Sequence, residues 1–196
     1  MISNELDIAP YRQRLAQTGR VQIPGFLQAD AANRLADCLR REVPWTTAER
    51  GLPDSPPWTG DLARQRMPEA YRRAAAGFHF VYDRYLMVEA MREGRDPQLV
   101  LHAVLAFFNS PEYLGFIREL TGDHSLAMVG AQATRYLPGQ FLRVHDDRHD
   151  DDHRRDPPRE TTGCRYGQRR TRVRFGSRCA APGADGEQRL EVGEGL

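Results

Sequence analysis

Apolar positions in the first 147 residues recur alternately with helical and strand periods. Leu6, Ala9 and Leu15 lie near helical spacing and predict a helix over 5–18, with Gly19 placed to stop it. In RVQIPGFL, Val21 and Ile23 alternate with polar neighbours, which predicts a strand over 20–27. Ala32, Leu35, Ala36, Leu39 and Val43 form one stripe on a helix over 29–43. The Pro- and Gly-containing stretch 45–57 predicts a loop around a short strand. FHFVYDRYLM alternates bulky residues and predicts a strand over 78–87, after a helical stretch at 71–76. Residues 97–108 and 111–120 predict two helices, each opened by a proline at a tolerated early position. SLAMVGAQATRYLPGQFLRVH predicts two strands with a Pro-Gly turn at 137–140.

The pattern stops near Arg155. From 156 to 196 arginine, glycine and proline dominate, and the large aliphatics and Phe are Val173, Phe175, Leu190, Val192 and Leu196. So few apolar groups cannot offset the ordering entropy of a packed segment. The chain therefore divides into a folded domain over 1–155 and an Arg/Gly/Pro-rich tail over 156–196, expected to be disordered or loosely attached.

Composition narrows the class. The 196 residues suit one domain with a real core. No apolar run approaches the roughly 20 residues that span a bilayer, so no membrane association is expected. The N-terminus carries charges where a signal peptide needs its apolar centre. Cys38, Cys164 and Cys179 are odd in number and far apart, which fits a reducing cytoplasm rather than a disulfide framework. A formal net charge of +1 argues against attraction of the whole protein to nucleic acid. All 28 basic residues are arginine, which physics does not require but a GC-rich coding bias explains.

The candidate chemistry follows the last apolar run, in RYLPGQFLRVHDDRHDDDHRR. On a strand over 139–147, alternate side chains share a face, so Phe141, Arg143, His145 and Asp147 would line up. An imidazole and a carboxylate at i and i+2 can take adjacent corners of one metal ion. Those are two members of the facial triad with which non-haem Fe(II) oxygenases leave three positions open. Alone, a His-x-Asp tripeptide is common and carries little weight.

Its context carries more. The string from Arg135 to Asp147, with Tyr136 nine residues before His145 and Pro138-Gly139 between them, resembles the strand-turn-strand of prolyl-4-hydroxylase-like Fe(II)/2-oxoglutarate-dependent dioxygenases. The upstream order of helix, GRVQIPGFL, helix and Trp45 is similar to that family too. The resemblance covers roughly residues 5–155. It implies an α+β, mainly β fold, a double-stranded β-helix (jelly-roll, cupin-like) with N-terminal helices packed on one sheet. It implies His145 and Asp147 as metal ligands and Tyr136 as a phenol reaching bound 2-oxoglutarate. The cofactors it implies are Fe(II), 2-oxoglutarate as co-substrate and ascorbate. The activity it implies is oxidative decarboxylation of the co-substrate coupled to hydroxylation of a C–H bond, in a prolyl residue of a protein or peptide or in a small metabolite.

The family pattern also needs a second histidine well downstream and a basic residue shortly after it. No histidine follows His153, and the apolar strands that should carry those groups are replaced by the arginine-rich segment. A reading frame shifted near residue 155 explains the change of character. The barrel is then expected to be incomplete and the chain to lack a full ligand set. His149 falls on the face of His145 and Asp147, but at roughly 3.3 Å per residue it lies about 13 Å from His145 unless the chain bends.

Other chemistry-bearing residues have plainer readings. His79, His102 and His124 read as core, rim or turn histidines. Arg135 and Arg143 flank the site and are candidates to steer carboxylates. Met87, Met91 and the 99–108 stripe read as core, and Cys38 as a buried thiol. A rival from another class is a non-enzymatic remnant of the fold whose arginine-rich tail binds RNA or another polyanion.

Overall fold

The computed structural model describes residues 6–144, 173–176 and 187–193. Its helices are α1 (Ala9–Thr18), α2 (Ala29–Arg41), α3 (Gly60–Ala76), α4 (Met87–Arg92), α5 (Val100–Phe108) and α6 (Pro111–Thr121). Its strands are β1 (Thr46–Glu49), β2 (Phe80–Leu86), β3 (Gly130–Tyr136), β4 (Phe141–Leu142), β5 (Val173–Gly176) and β6 (Glu187–Gly193).

Local chemistry sets the helix ends. Pro10 opens α1, and Gly19 closes it in the left-handed region at φ 68°, its N–H reaching the Leu15 carbonyl. At α6 the Ser110 hydroxyl accepts the Tyr113 N–H, Pro111 opens the helix, and Gly122 closes it at φ 74°. On α2 the buried positions are Leu35, Cys38 and Leu39, with Asp30 in the first turn and Arg40 and Arg41 in the last, the charge order that suits the helix dipole.

Two expectations change. Residues 20–27 do not form a strand, although Val21 and Ile23 pack against the core. Pro24 has no N–H for a ladder, and Gly25 sits at φ 66°, so the chain turns there. The helical stretch at 71–76 is the end of a longer α3. The helix begins at Gly60, runs past an internal Pro68 and turns Met67, Ala70 and Ala74 inward.

The sheet is antiparallel and open, in the order β1-β2-β3-β6-β5, with β4 also pairing with β2. Thr47 opposes Asp83, and Asp83 opposes Arg135. The two strands expected around 137–140 do not pair as a hairpin. Both lie on β2, where Asp83 opposes Arg135 while Val81 opposes Phe141. Residues 137–140 are thus an insert within one line of strand, after which the chain continues in the same direction. Within 156–196, β6 runs along β3 from Gly130↔Gly193 to Tyr136↔Glu187, and β5 pairs with β6. To that extent the segment differs from the tail expected on composition, because the free edge of β3 offers backbone hydrogen bonds whatever the side chains opposite it.

Alternation assigns the faces. The odd-numbered residues Val81, Tyr85, Ala131, Ala133 and Phe141 pack with the helices. Phe80, Tyr82, Arg84, Thr134 and Tyr136 occupy the other face. The main core joins α2, α4, α5 and α6 to this sheet, with Cys38 fully buried as expected and Met87 at its centre. Met91, expected in the core, is 42% exposed: it lies on the outer side of the six-residue α4, whose buried residues are Met87 and Ala90. A second, smaller cluster of Trp58, Met67, Ala70 and Val81 lies under α3. Among the described residues, no single helix is long and apolar enough to cross a membrane.

Candidate functional site

The end of β3 is where the sequence expectations and the structure meet. Tyr136 is the last residue of β3 and lies on the face away from the helices. Its ring is 5.6 Å from that of Tyr82, which is 5.2 Å from Phe80, itself 6.0 Å from Phe78. The guanidinium of Arg50 caps this row, 5.0 Å above the Phe78 ring. Tyr136 therefore ends a line of aromatic rings, half-buried, with its phenol as the polar tip.

The insert that follows is braced within itself and clamped from two sides. The Gln140 side-chain oxygen accepts the Leu137 N–H at 2.9 Å and its amide donates to Asp83 Oδ1 at 2.8 Å. Tyr71 on α3 donates to the Gly139 carbonyl at 2.7 Å. Gly139 sits at φ 88°, where a Cβ would come within 3.0 Å of the Tyr71 hydroxyl, so this position requires glycine.

Asp83 is the anchor of the clamp and is fully buried. Its Oδ1 also accepts from Thr47 Oγ1 at 2.6 Å, and Oδ2 accepts from Arg135 Nε at 3.0 Å and Nη2 at 2.7 Å. Arg135 in turn stacks its guanidinium 4.9 Å over the Trp45 ring. Every acceptor direction of the carboxylate is used, the condition under which a buried charge is tolerable. Arg135 is therefore committed to Asp83 rather than held ready for a ligand carboxylate.

Phe141 and Arg143 share a face, as alternation expects, but it is the helix-covered face, opposite to that of Tyr136. Phe141 stacks on Tyr71 with ring centroids 5.4 Å apart. Arg143 donates to the Ala74 and Gly77 carbonyls at the end of α3. Its guanidinium thus caps a helix C-terminus, an arrangement the helix dipole favours. The expectation that it steers carboxylates is replaced by this one.

His145 and Asp147, the expected metal ligands, lie outside the described residues, as do His149 and His153. Among the described residues no group of three or more His, Cys, Asp or Glu is placed to hold a metal ion. His79 is buried as a core histidine, its Nε2 3.0 Å from Glu49 Oε1, which also takes Arg73 Nη1 at 3.0 Å. His102 bonds the Arg95 carbonyl through Nε2 at 3.0 Å, and His124 is exposed in its turn.

Sequence reasoning passed over Asp83, Glu49 and Thr47. The signal was present: Asp83 interrupts the bulky alternation of FHFVYDRYLM at an inward position, where a carboxylate demands partners. The cavity between α2 and α5 is apolar, lined by Leu27, Leu35, Val104 and Phe108 among others, and a shallow cleft between α1 and α6 carries Arg12, Arg118 and His124. Neither includes Tyr136. Comparison of the chain with protein-family models, with characterised proteins and with solved structures finds no match. The fold belongs to a class of architecture in which helices are layered on an open antiparallel sheet.

Proposed function

We propose that this chain is an Fe(II)- and 2-oxoglutarate-dependent dioxygenase of the prolyl-hydroxylase-like kind, built on a partial double-stranded β-helix. It would hold its metal through His145 and Asp147 and act on a C–H bond of a prolyl residue or a small metabolite. The observation that supports this reading is the course of the chain into the H-x-D sequence. Tyr136 ends β3, and an insert turned at Gly139 and anchored on Asp83 then leads through β4 into the H-x-D sequence. The reading requires His145 and Asp147 to leave the alternation that puts Phe141 and Arg143 on the face opposite Tyr136.

The donor set fits the metal: neutral imidazole and carboxylate are ligands that Fe(II) accepts, and two protein donors leave positions for a chelating 2-oxo acid. When bound, the iron and its co-substrate supply the oxidising chemistry, which the side chains alone cannot. The protein's part is binding and shielding. His145 and Asp147 would hold the ion and the Tyr136 phenol would donate to a co-substrate oxygen, with the aromatic row beside it as an apolar wall.

The test is release of succinate from 2-oxoglutarate with Fe(II) and ascorbate. Release that is lost in Asp147→Ala and reduced in Tyr136→Phe supports the reading. Equal release from all three proteins contradicts it.

A further inference from the structure

We infer that α3, the 137–140 insert and β4 form one cooperative unit that undocks from the rest of the fold and seats again as a whole, with α3 acting as the clamp on β4. The inference stands on these elements alone and does not depend on the metal reading.

The unit has its own core. Trp58, Met67, Ala70 and Val81, with Leu62, Ala63 and Phe141 against them, form a cluster separate from the one that joins α2, α4, α5 and α6. The main packing partner of α3 is β2. The helix is also weak within itself. Pro68 lies inside it and removes one backbone donor, and Gly60 enters it in the left-handed region at φ 53°. A helix interrupted in this way depends on tertiary contacts for its order.

Its apolar side packs on Trp58 and on Val81 of β2, and most of its hydrogen bonds to other elements go to the insert and the end of β4. Tyr71 donates to the Gly139 carbonyl and stacks on Phe141. Arg143, just after β4, donates to the Ala74 and Gly77 carbonyls, which closes the end of α3. Away from β4, Arg73 meets Glu49 at 3.0 Å. The dependence is mutual, because β4 is two residues long and its attachment to β2 is short: Phe80↔Leu142, Val81↔Phe141 and the Arg143 N–H on the His79 carbonyl. So short a strand does not hold itself, and α3 supplies the rest of its attachment. Gln140 ties the unit to the main sheet, its amide donating to Asp83, and this bond breaks when the unit undocks. Segments of this kind open below the global unfolding free energy as contiguous units.

Hydrogen exchange of the full chain, followed by mass spectrometry, tests the inference. Amides of 61–76 and of 139–142 should exchange with one common rate, at least about tenfold faster than those of 101–108 and 113–120. Tyr71→Phe removes a single hydroxyl and should accelerate both stretches by the same factor while α5 and α6 stay unchanged. Met67→Ala, placed in the small core, should do the same through packing. The inference is overturned if 61–76 and 139–142 exchange as slowly as α5, or if either variant accelerates α3 and leaves 139–142 as before.

Discussion

Asp83 ties two strands and the insert to β2 through one side chain. Its carboxylate joins β1 through Thr47, β3 through Arg135 and the insert through Gln140, all from a position with no solvent exposure. Asp83→Ala strips the acceptor from these donors and leaves the Arg135 charge unpaired, which should cost about 3–5 kcal/mol in denaturant unfolding. A loss below about 1 kcal/mol would mean that the knot is not what ties these strands together. Two buried phenols carry a pH signature. Burial holds Tyr113 above the ordinary tyrosine value, and burial together with the hydrogen bond to Asp96 does so for Tyr85. The folded chain keeps these protons more tightly than the unfolded one, so the stability they contribute is full below pH about 10 and is lost as pH rises beyond it. Unfolding midpoints measured from pH 8 to 11 should fall at the alkaline end, and Tyr113→Phe should flatten that fall. At this scale Cys38 and Met87 were readable, because burial follows helical spacing, whereas Met91 falls on the outer side of its short helix. Asp83 and Glu49 were not, because a buried carboxylate is permitted only by partners that are distant in sequence: Arg135 and Gln140 for one, Arg73 and His79 for the other.

Among the elements, the insert at 137–140 shows what local signals carry and what they omit. Pro138 and Gly139 announce a break, and the break is there. They do not say whether the flanking strands pair with each other or with a third, and here both pair with β2. The consequence is one of faces: Tyr136 emerges away from the helices, whereas Phe141 and Arg143 face α3. Gly139→Ala tests how strongly the insert is determined. A left-handed alanine costs about 1–2 kcal/mol, and its Cβ would press on the Tyr71 hydroxyl, so destabilisation of at least that size is expected in thermal or denaturant unfolding. The loss of the 20–27 strand has the same kind of origin, since a Pro-Gly pair inside an alternating pattern outweighs the alternation. The full length of α3 was hidden by Pro68, which breaks the helical signal without breaking the helix.

For the whole molecule, helices layered on one face of an antiparallel sheet are what the hydrophobic pattern of residues 5–144 specifies. After residue 155 apolar residues are sparse and alternate only briefly, Val173 with Phe175 and Leu190 with Val192. The strands β5 and β6 extend the sheet along β3 by backbone pairing, a contribution that composition alone could not reveal. The functional reading rests on residues that local spacing and resemblance select, Tyr136, His145 and Asp147, and it makes one demand of the molecule: that it bind iron. Anaerobic titration of the purified chain with Fe(II) in the presence of 2-oxoglutarate tests this directly. A visible charge-transfer band that saturates with added Fe(II) and is lost in both His145→Ala and Asp147→Ala is the expected result. No band in the unaltered chain, or a band that survives both substitutions, would contradict it.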